Sequence, residues 1–259
     1  PDYAVTGVQT CALPIFGGDI NVLRPRNGDD GKFLSYLLNH RMKKEIAELA
    51  QGNSVVHLYS SSLSKLKVLI PSNDEQRKIS AFLSNFDEAI QTQEQIIENL
   101  EQLKRGYMQK IFSQQLRFKD ENGEDFPEWE EKVLGDTSDM YAGGTPSTFI
   151  KDYWDGEINW IQSGLVQNNF ISKDDINKRI TEKGLKESSA KMIRANSVLL
   201  AITGATCGNI GYLDFESSAN QSVISITPRE ANPLFVFYSL LFKRNDILRL
   251  QGGSAQGGI

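Results

Sequence analysis

Cysteine and histidine are both scarce in this sequence, two of each, and their scarcity removes whole classes of function. Two thiols, Cys11 and Cys207, cannot knit a disulfide framework, and no Cys or His cluster has the spacing of metal ligands. Long apolar runs are missing too. A run such as Val198–Ile202 falls far short of the roughly 20 residues that a membrane-spanning helix needs. No secretory signal is legible at the start, so the chain reads as cytoplasmic. Nor is there an excess of positive charge. The formal net charge of −5 argues against a protein that coats nucleic acid by bulk attraction, yet leaves room for local basic faces. A G-x-x-x-x-G-K-[ST] phosphate loop is also absent, and with it an ATP site of that type.

What is present is an ordinary globular composition, 39% hydrophobic and 24% charged over 259 residues, with room for two modest domains. One stretch organises the rest. From Glu75 to Ser113 the apolar residues Ile79, Leu83, Phe86, Ile90, Ile97 and Leu100 alternate in steps of four and three, with Gln93 in the remaining core slot. That is a heptad seam. It shifts phase once, at Leu103, and continues through Tyr107 and Ile111. Pro71 precedes the stretch, Asp74 can cap it, and no proline interrupts it, so it predicts one rod about 58 Å long at 1.5 Å per residue. A lone rod cannot bury a seam in itself and requires a partner helix.

Residues 1–15 stand apart. Val5–Ile15 is the translation, in one frame, of a common sequencing-adapter oligonucleotide, and is excluded as an assembly scar in preference to a genuine apolar strand. From Phe16 the chain reads as the tail of a globular domain: a strand at Asp19–Pro25, a turn at Asn27–Gly31, a helix over Phe33–Leu49, a polar loop at Gln51–Ser54 and a short strand at Lys67–Pro71. His57 has no carboxylate or nucleophile at a telling spacing and is expected to be structural. Beyond the rod, Phe118–Trp129 is an acidic, turn-rich linker into a second domain of short strands and glycine turns.

An internal repeat ties the two ends together. Gln221–Pro228, Phe235–Leu241 and Leu250–Ser254 follow one another as Asp19–Pro25, Phe33–Leu38 and Ala50–Ser54 do about 200 residues earlier. So long a period means tandem domains, because solenoid repeats run about 20 to 50 residues. In the first copy the loop leads into the rod. The second copy is therefore expected to continue into a second rod, the partner that the seam requires.

These residues carry a resemblance. Ile70-Pro71-Ser72, Glu75-Gln76, Ile79, Phe82-Leu83, Asp87, Leu100, Lys104 and Phe112 resemble the conserved helical region of type I restriction-modification specificity subunits. Gly143-Gly144-Thr145-Pro146-Ser147, Tyr153-Trp154, Ile158-Asn159-Trp160, Gly204-Ala205-Thr206 and Asn220-Gln221 are similar, in order, to that family's target-recognition domain. The resemblance implies an α+β architecture of β-rich recognition domains separated by a long coiled-coil helix. Residues 16–72 would be the C-terminal part of a first recognition domain, 73–115 the spacer helix, and 116–259 a second recognition domain, truncated at its C-terminus. It also implies a non-catalytic subunit that reads half of a bipartite sequence in double-stranded DNA. Such a subunit docks methyltransferase subunits and joins restriction/translocase subunits, which hold S-adenosylmethionine, ATP and Mg; this chain would need no cofactor of its own. An Asn/Asp-Pro-Pro-aromatic run, the signature expected of the methyltransferase, is absent here.

Candidate DNA contacts follow from side-chain chemistry. Lys173 to Arg194 carries the basic residues Lys173, Lys178, Arg179, Lys183, Lys186, Lys191 and Arg194 and reads as a phosphate-contacting stretch or a solvated charged face. Base readers are sought among polar loop residues: Gln162, Ser163, Gln167, Asn168 and Asn169 after Trp160, with Thr145 and Ser147 on a second loop. Trp154 and Trp160 are expected in the core, since duplex readers need no stacking platform. Thr203–Gly208 could cradle phosphate, but it lacks a lysine and a following amphipathic helix, so a strand turn is preferred. Two other classes stay open: the recognition arm of a fused restriction-methylation enzyme, and a coiled-coil scaffold that binds no DNA.

Overall fold

The computed structural model describes residues 22–49, 58–250, 252 and 258. The adapter-like segment, Cys11, the Gln51–Ser54 loop and His57 lie outside the described residues. The chain divides into two compact units, residues 1–101 and 102–259.

In the first unit, helix α1 (Gly31–Tyr36) passes through a π-helical turn (Leu37–Arg41) into α2 (Lys43–Glu48), and a short α3 (Ser60–Leu63) follows. Asp30 caps α1 by accepting the Phe33 N–H at 2.8 Å. Val22–Pro25 and Lys67–Pro71 run without strand pairing, and Leu69 is 92% exposed. A strand needs a neighbour to satisfy its backbone, and none is present among the described residues.

The rod is α4 (Asn73–Phe112), 40 residues and about 60 Å long. Its first turn is capped by Ser72, whose hydroxyl accepts the Glu75 N–H at 3.4 Å; Asp74, expected as the cap, lies inside the helix and pairs with Arg77. The buried face of α4 is polar: Gln76, Ser80 and Ser84. Gln76 is fully buried and saturated. Its Oε1 accepts the Asp30 N–H at 2.8 Å, and its Nε2 donates to Asp29 Oδ1 and to the Pro71 carbonyl, both at 2.9 Å. A buried amide with all its partners stabilises; one short of them would cost its desolvation. Every residue from Asn85 to Tyr107 is exposed. Gln114, in the left-handed region at φ 58°, ends the helix.

The second unit holds two sheets. The first has strand order β1-β9-β6-β7-β3, with β1 (Ser138–Ala142), β3 (Asn169–Phe170), β6 (Ser197–Ala201), β7 (Ile210–Leu213) and β9 (Val223–Pro228). The second has order β4-β2-β8-β5, with β2 (Trp154–Ile161), β4 (Arg179–Ile180), β5 (Met192–Ile193) and β8 (Ser217–Ala219). Short helices α5 (Leu134–Thr137) and α6 (Glu182–Lys186) accompany them, and α7 (Pro233–Phe242) and α8 (Arg244–Arg249) close the chain.

The central strand β6 explains its own sequence. All five residues of Ser-Val-Leu-Leu-Ala are buried, because the strand is covered on both faces. Leu199 and Ala201 join Ile161, Ile193, Leu213 and Ala219 in one apolar cluster, while Val198 and Leu200 pack with Ile210, Tyr212 and Ile226 under Val236 and Phe237 of α7. Side chains alternate along a strand, so one apolar run feeds two cores. Burial also raises the pKa of the Tyr212 phenol. The end of α4 is fixed to this unit by aromatics. Phe112 lies 5.4 to 6.3 Å, centroid to centroid, from Phe242, Phe235 and Trp129.

Candidate nucleic-acid interface

The strand registers bring four loops to one end of the second unit. Ala142, the last residue of β1, faces Ile224 near the start of β9, and Ala201, the last of β6, faces Val223. Leu200 pairs with Ile210 at the start of β7, beside which β3 starts in parallel, Asn169 against Gly211. In the other sheet Ile161 and Ala219 end β2 and β8 side by side, and the Asn220 N–H donates to the Ile161 carbonyl at 2.9 Å. Residues 143–147, 162–168, 202–209 and 220–222 therefore converge.

The first of these loops passes so close to its neighbours that only glycine fits. A Cβ at Gly143 would stand 2.3 Å from the Ala219 carbonyl oxygen, and one at Gly144 would stand 2.2 Å from that of Ser189. The indole N–H of buried Trp160 donates to the Gly144 carbonyl at 3.0 Å, so the aromatic is part of the scaffold under the loop. Thr145 and Ser147 follow. The Thr145 hydroxyl donates to Gln221 Oε1, linking this loop to the 220–222 turn, and the Ser147 carbonyl accepts the Trp154 indole N–H at 3.1 Å.

The second loop carries Gln162, Ser163, Gln167 and Asn168. Gln167 Nε2 donates to the Gly164 carbonyl at 2.7 Å, which folds its side chain back on its own turn. Asn168 sits in the left-handed region at φ 60°, and its Oδ1 accepts the Ile210 N–H at 3.1 Å. Its Nδ2 reaches Asn209 Oδ1 at 3.4 Å, and Arg244 Nη2 donates to the same oxygen at 2.8 Å. The Thr203–Gly208 segment is a turn after β6, with a single 3-10 turn at Gly204–Thr206; the thiol of buried Cys207 donates to the Ile202 carbonyl at 3.3 Å.

The basic stretch from Lys173 to Arg194 is not one surface. Lys178 and Lys191 flank the loop end: the Trp160 backbone N–H donates to the Lys178 carbonyl, the Lys178 ammonium lies 5.9 Å from the Trp160 ring, and the Lys191 ammonium lies 5.7 Å from the Tyr141 ring. Lys173 packs over Phe215, beyond the last residues of β3 and β7, at the opposite end of the sheet. Arg194 is also at that end, where it shares Asp139 with Arg229. Those hydrogen bonds, that of Arg229 first and that of Arg194 second, hold the Asp139 carboxyl below its ordinary pKa. Lys183 pairs with Asp152 and Lys186 with Glu182, beside the first residues of β2. The hydrogen bond to Asp152 raises the Lys183 pKa. Arg179 lies on β4 opposite Asn159, exposed and without an ion pair among the described residues.

The seam residues of α4 are divided too. Ile79 and Leu83 are half-buried, Ile111 likewise, whereas Phe86, Ile90, Ile97, Leu100, Leu103 and Tyr107 are each 55% exposed or more. Gln221, Asn209 and Arg244 were not among the residues expected at the loop end. Gln221 was marked only as part of the Asn220-Gln221 motif, and nothing local marks Asn209 or Arg244, which arrive from two separate segments.

Comparison with known proteins places this architecture. The sequence profile of the type I restriction modification DNA specificity domain matches residues 12–102 and 127–259. The chain belongs to that family. A type I restriction enzyme specificity subunit of Escherichia coli is 27% identical over 230 residues, covering 85% of this chain and 54% of the relative. One of Methanocaldococcus jannaschii is 33% identical over 106 residues, 40% of this chain and 24% of the relative. The crystal structure of a type I restriction-modification S subunit from M. genitalium superposes with a TM-score of 0.56 at 20% identity, covering 85% of this chain and 55% of that one, and shows the shared fold. The chain thus spans about half the length of the E. coli relative. None of the helices formed by described residues is long and apolar enough to cross a membrane.

Proposed function

We propose that this chain is a non-catalytic DNA-reading component of a type I restriction-modification complex, and that the loop end of its second unit reads half of a bipartite duplex target. The observation that supports this most is the convergence of four loops, rich in amide and hydroxyl side chains, on one end of a buried β core. Rigid backbone with polar side chains at its rim is what base readout requires, because amides and guanidinium groups discriminate base edges only when they are held in place. Lys178 and Lys191 beside the loops would meet phosphates, which position a reader without specifying its sequence.

The exposed seam of α4 is read as a spacer surface for a second helix and for methyltransferase subunits. A stiff helical pair fixes both the distance and the helical phase between two half-sites. Methylation with S-adenosylmethionine, and ATP- and Mg-dependent translocation and cleavage, fall in this reading to partner subunits. The test is a duplex-binding assay with the chain and its methyltransferase subunits. Sequence-selective binding that weakens with salt is expected; binding with no preference among duplexes, or none at all, would leave a scaffold instead.

A further inference from the structure

Asn168, Asn209 and Arg244 form a hydrogen-bond chain whose direction is settled by its ends. The Ile210 backbone N–H can only donate, so the oxygen of Asn168 must face it, at 3.1 Å. The amide nitrogen of Asn168 is then turned toward Asn209, and Asn209 Oδ1 accepts from it at 3.4 Å. Arg244, which has donors alone, completes the set by giving an Nη2 hydrogen to the same oxygen at 2.8 Å. Both lone pairs of Asn209 Oδ1 are thereby engaged. None of these contacts uses Asn209 Nδ2 or Arg244 Nη1, so what the pair has left to offer is a set of N–H donors with no acceptor among them.

The placement of Arg244 gives it little structural reason to be cationic. It is the first residue of α8, where a positive charge opposes the helix dipole. No carboxylate lies within ion-pair distance of it among the described residues. Its Nε is buried without a hydrogen-bond partner, which seats the guanidinium partly out of water. Asn209 and Arg244 are both half-buried, at the loop end where 162–168 meets 202–209.

We infer that Asn209 and Arg244 together read one guanine of the target in the major groove; this rests on the DNA-reading function proposed above. Guanine presents two adjacent acceptors there, N7 and O6, which a donor-only edge can satisfy completely. Adenine and cytosine each set an amino donor against that edge, and thymine offers one acceptor beside a methyl group. In this arrangement Asn168 is a positioning residue: it holds the Asn209 amide in the orientation that turns its donors to the base.

The decisive variant is Asn209→Asp, which keeps an oxygen for Arg244 and Asn168 but replaces the donor edge by an acceptor. The chain assembled with its methyltransferase subunits is used to select bound duplexes from a pool with a randomised segment, alongside Asn209→Asp and Arg244→Ala. The wild type should recover a motif with a guanine at one position. Both variants should weaken the preference for that guanine about tenfold or more while leaving the other positions of the motif unchanged, and 7-deazaguanine at that position should weaken wild-type binding alone. An unchanged motif in both variants overturns the inference. So does a uniform loss of affinity across all sequences, the mark of a phosphate contact. A wild-type complex that selects no motif at all sinks the DNA-reading function itself, and is told apart by failing before any variant is compared.

Discussion

Tyr36 donates its phenolic hydrogen to the Asp87 carboxylate across 51 residues of sequence, and the Ser84 hydroxyl lies 3.3 Å from the same phenol oxygen. The bond links the end of α1 to the fourth turn of α4. The hydrogen bond to Asp87 is also the main cause that raises the Tyr36 pKa above its ordinary 10.0. A raised folded-state value favours the protonated phenol, so the contribution is full below pH 10.0 and is lost as pH climbs through the higher folded value. Tyr36→Phe should cost about 0.5 kcal/mol at neutral pH, the low end for a hydrogen bond because the pair is exposed. Urea midpoints of wild type and variant should converge above the folded pKa; a gap that stays constant through that range would rule out the linkage.

Gln76 should be far less tolerant. Replacing it by Ala strands the Asp30 N–H and removes a donor from Asp29 and Pro71 in a fully buried site, at a cost of about 2 to 3 kcal/mol. Gln76→Glu is the sharper probe. A carboxylate could still accept from Asp30 but would confront the Asp29 carboxylate and the Pro71 carbonyl, so it should destabilise at least as much as Ala. Denaturation midpoints within error of wild type for both variants would show that the amide is not the link between the turn at Asp30 and α4.

How much of this was legible beforehand differs by element. The α+β class was readable, and so was the single long helix, because a heptad pattern without proline has few alternatives. The buried strand β6 was readable within Ile193–Cys207, because that stretch holds five apolar residues in a row and ends in a glycine turn. The face that α4 buries was not. The heptad pattern draws attention to Phe86 and Ile90, while the buried face carries Gln76, Ser80 and Ser84, polar residues of which Gln76 bonds Asp29 and Asp30 at the start of α1 and Ser84 meets Tyr36 at its end, 46 to 48 positions away. The basic stretch misled for a related reason. Proximity in sequence groups Lys173 with Lys191, but the chain turns back through β4 between them, and the packing carries them to opposite ends. Arg244 and Asn209 meet across 35 residues. Only the fold reveals that contact.

The exposed seam makes a prediction about association. Phe86, Ile90, Ile97, Leu100, Leu103 and Tyr107 present a continuous apolar stripe that no part of the described chain covers. The purified chain should therefore self-associate as its concentration rises. Ile90→Glu combined with Leu100→Glu should abolish that association without moving the melting transition of the β unit, whose cores contain neither residue. Sedimentation velocity at two concentrations is enough, and a wild type that stays monomeric throughout would count against a pairing role for the stripe.

The last prediction separates the two ends of the β unit. If the loop end faces the duplex, Lys178→Ala and Lys191→Ala should each weaken binding of the assembled complex at low salt and flatten the dependence of log K on log[salt] by about 1, the value of one phosphate contact. Neither lysine has an ion pair among the described residues, so little stability should be lost with them; each forfeits only a cation–π contact worth about 0.5 to 1 kcal/mol when exposed. Lys173→Ala and Arg194→Ala remove the same charge from the opposite end and should leave the slope unchanged. Arg194→Ala also takes one of the two arginines from Asp139, whose lowered pKa means that its stabilising contribution is present above the unfolded value and lost on acidification. That variant should accordingly differ from wild type in its acid unfolding rather than in its DNA binding. Equal slopes for all four variants would mean that charge acts on the duplex from a distance, and the loop end would lose its claim to be the contact surface.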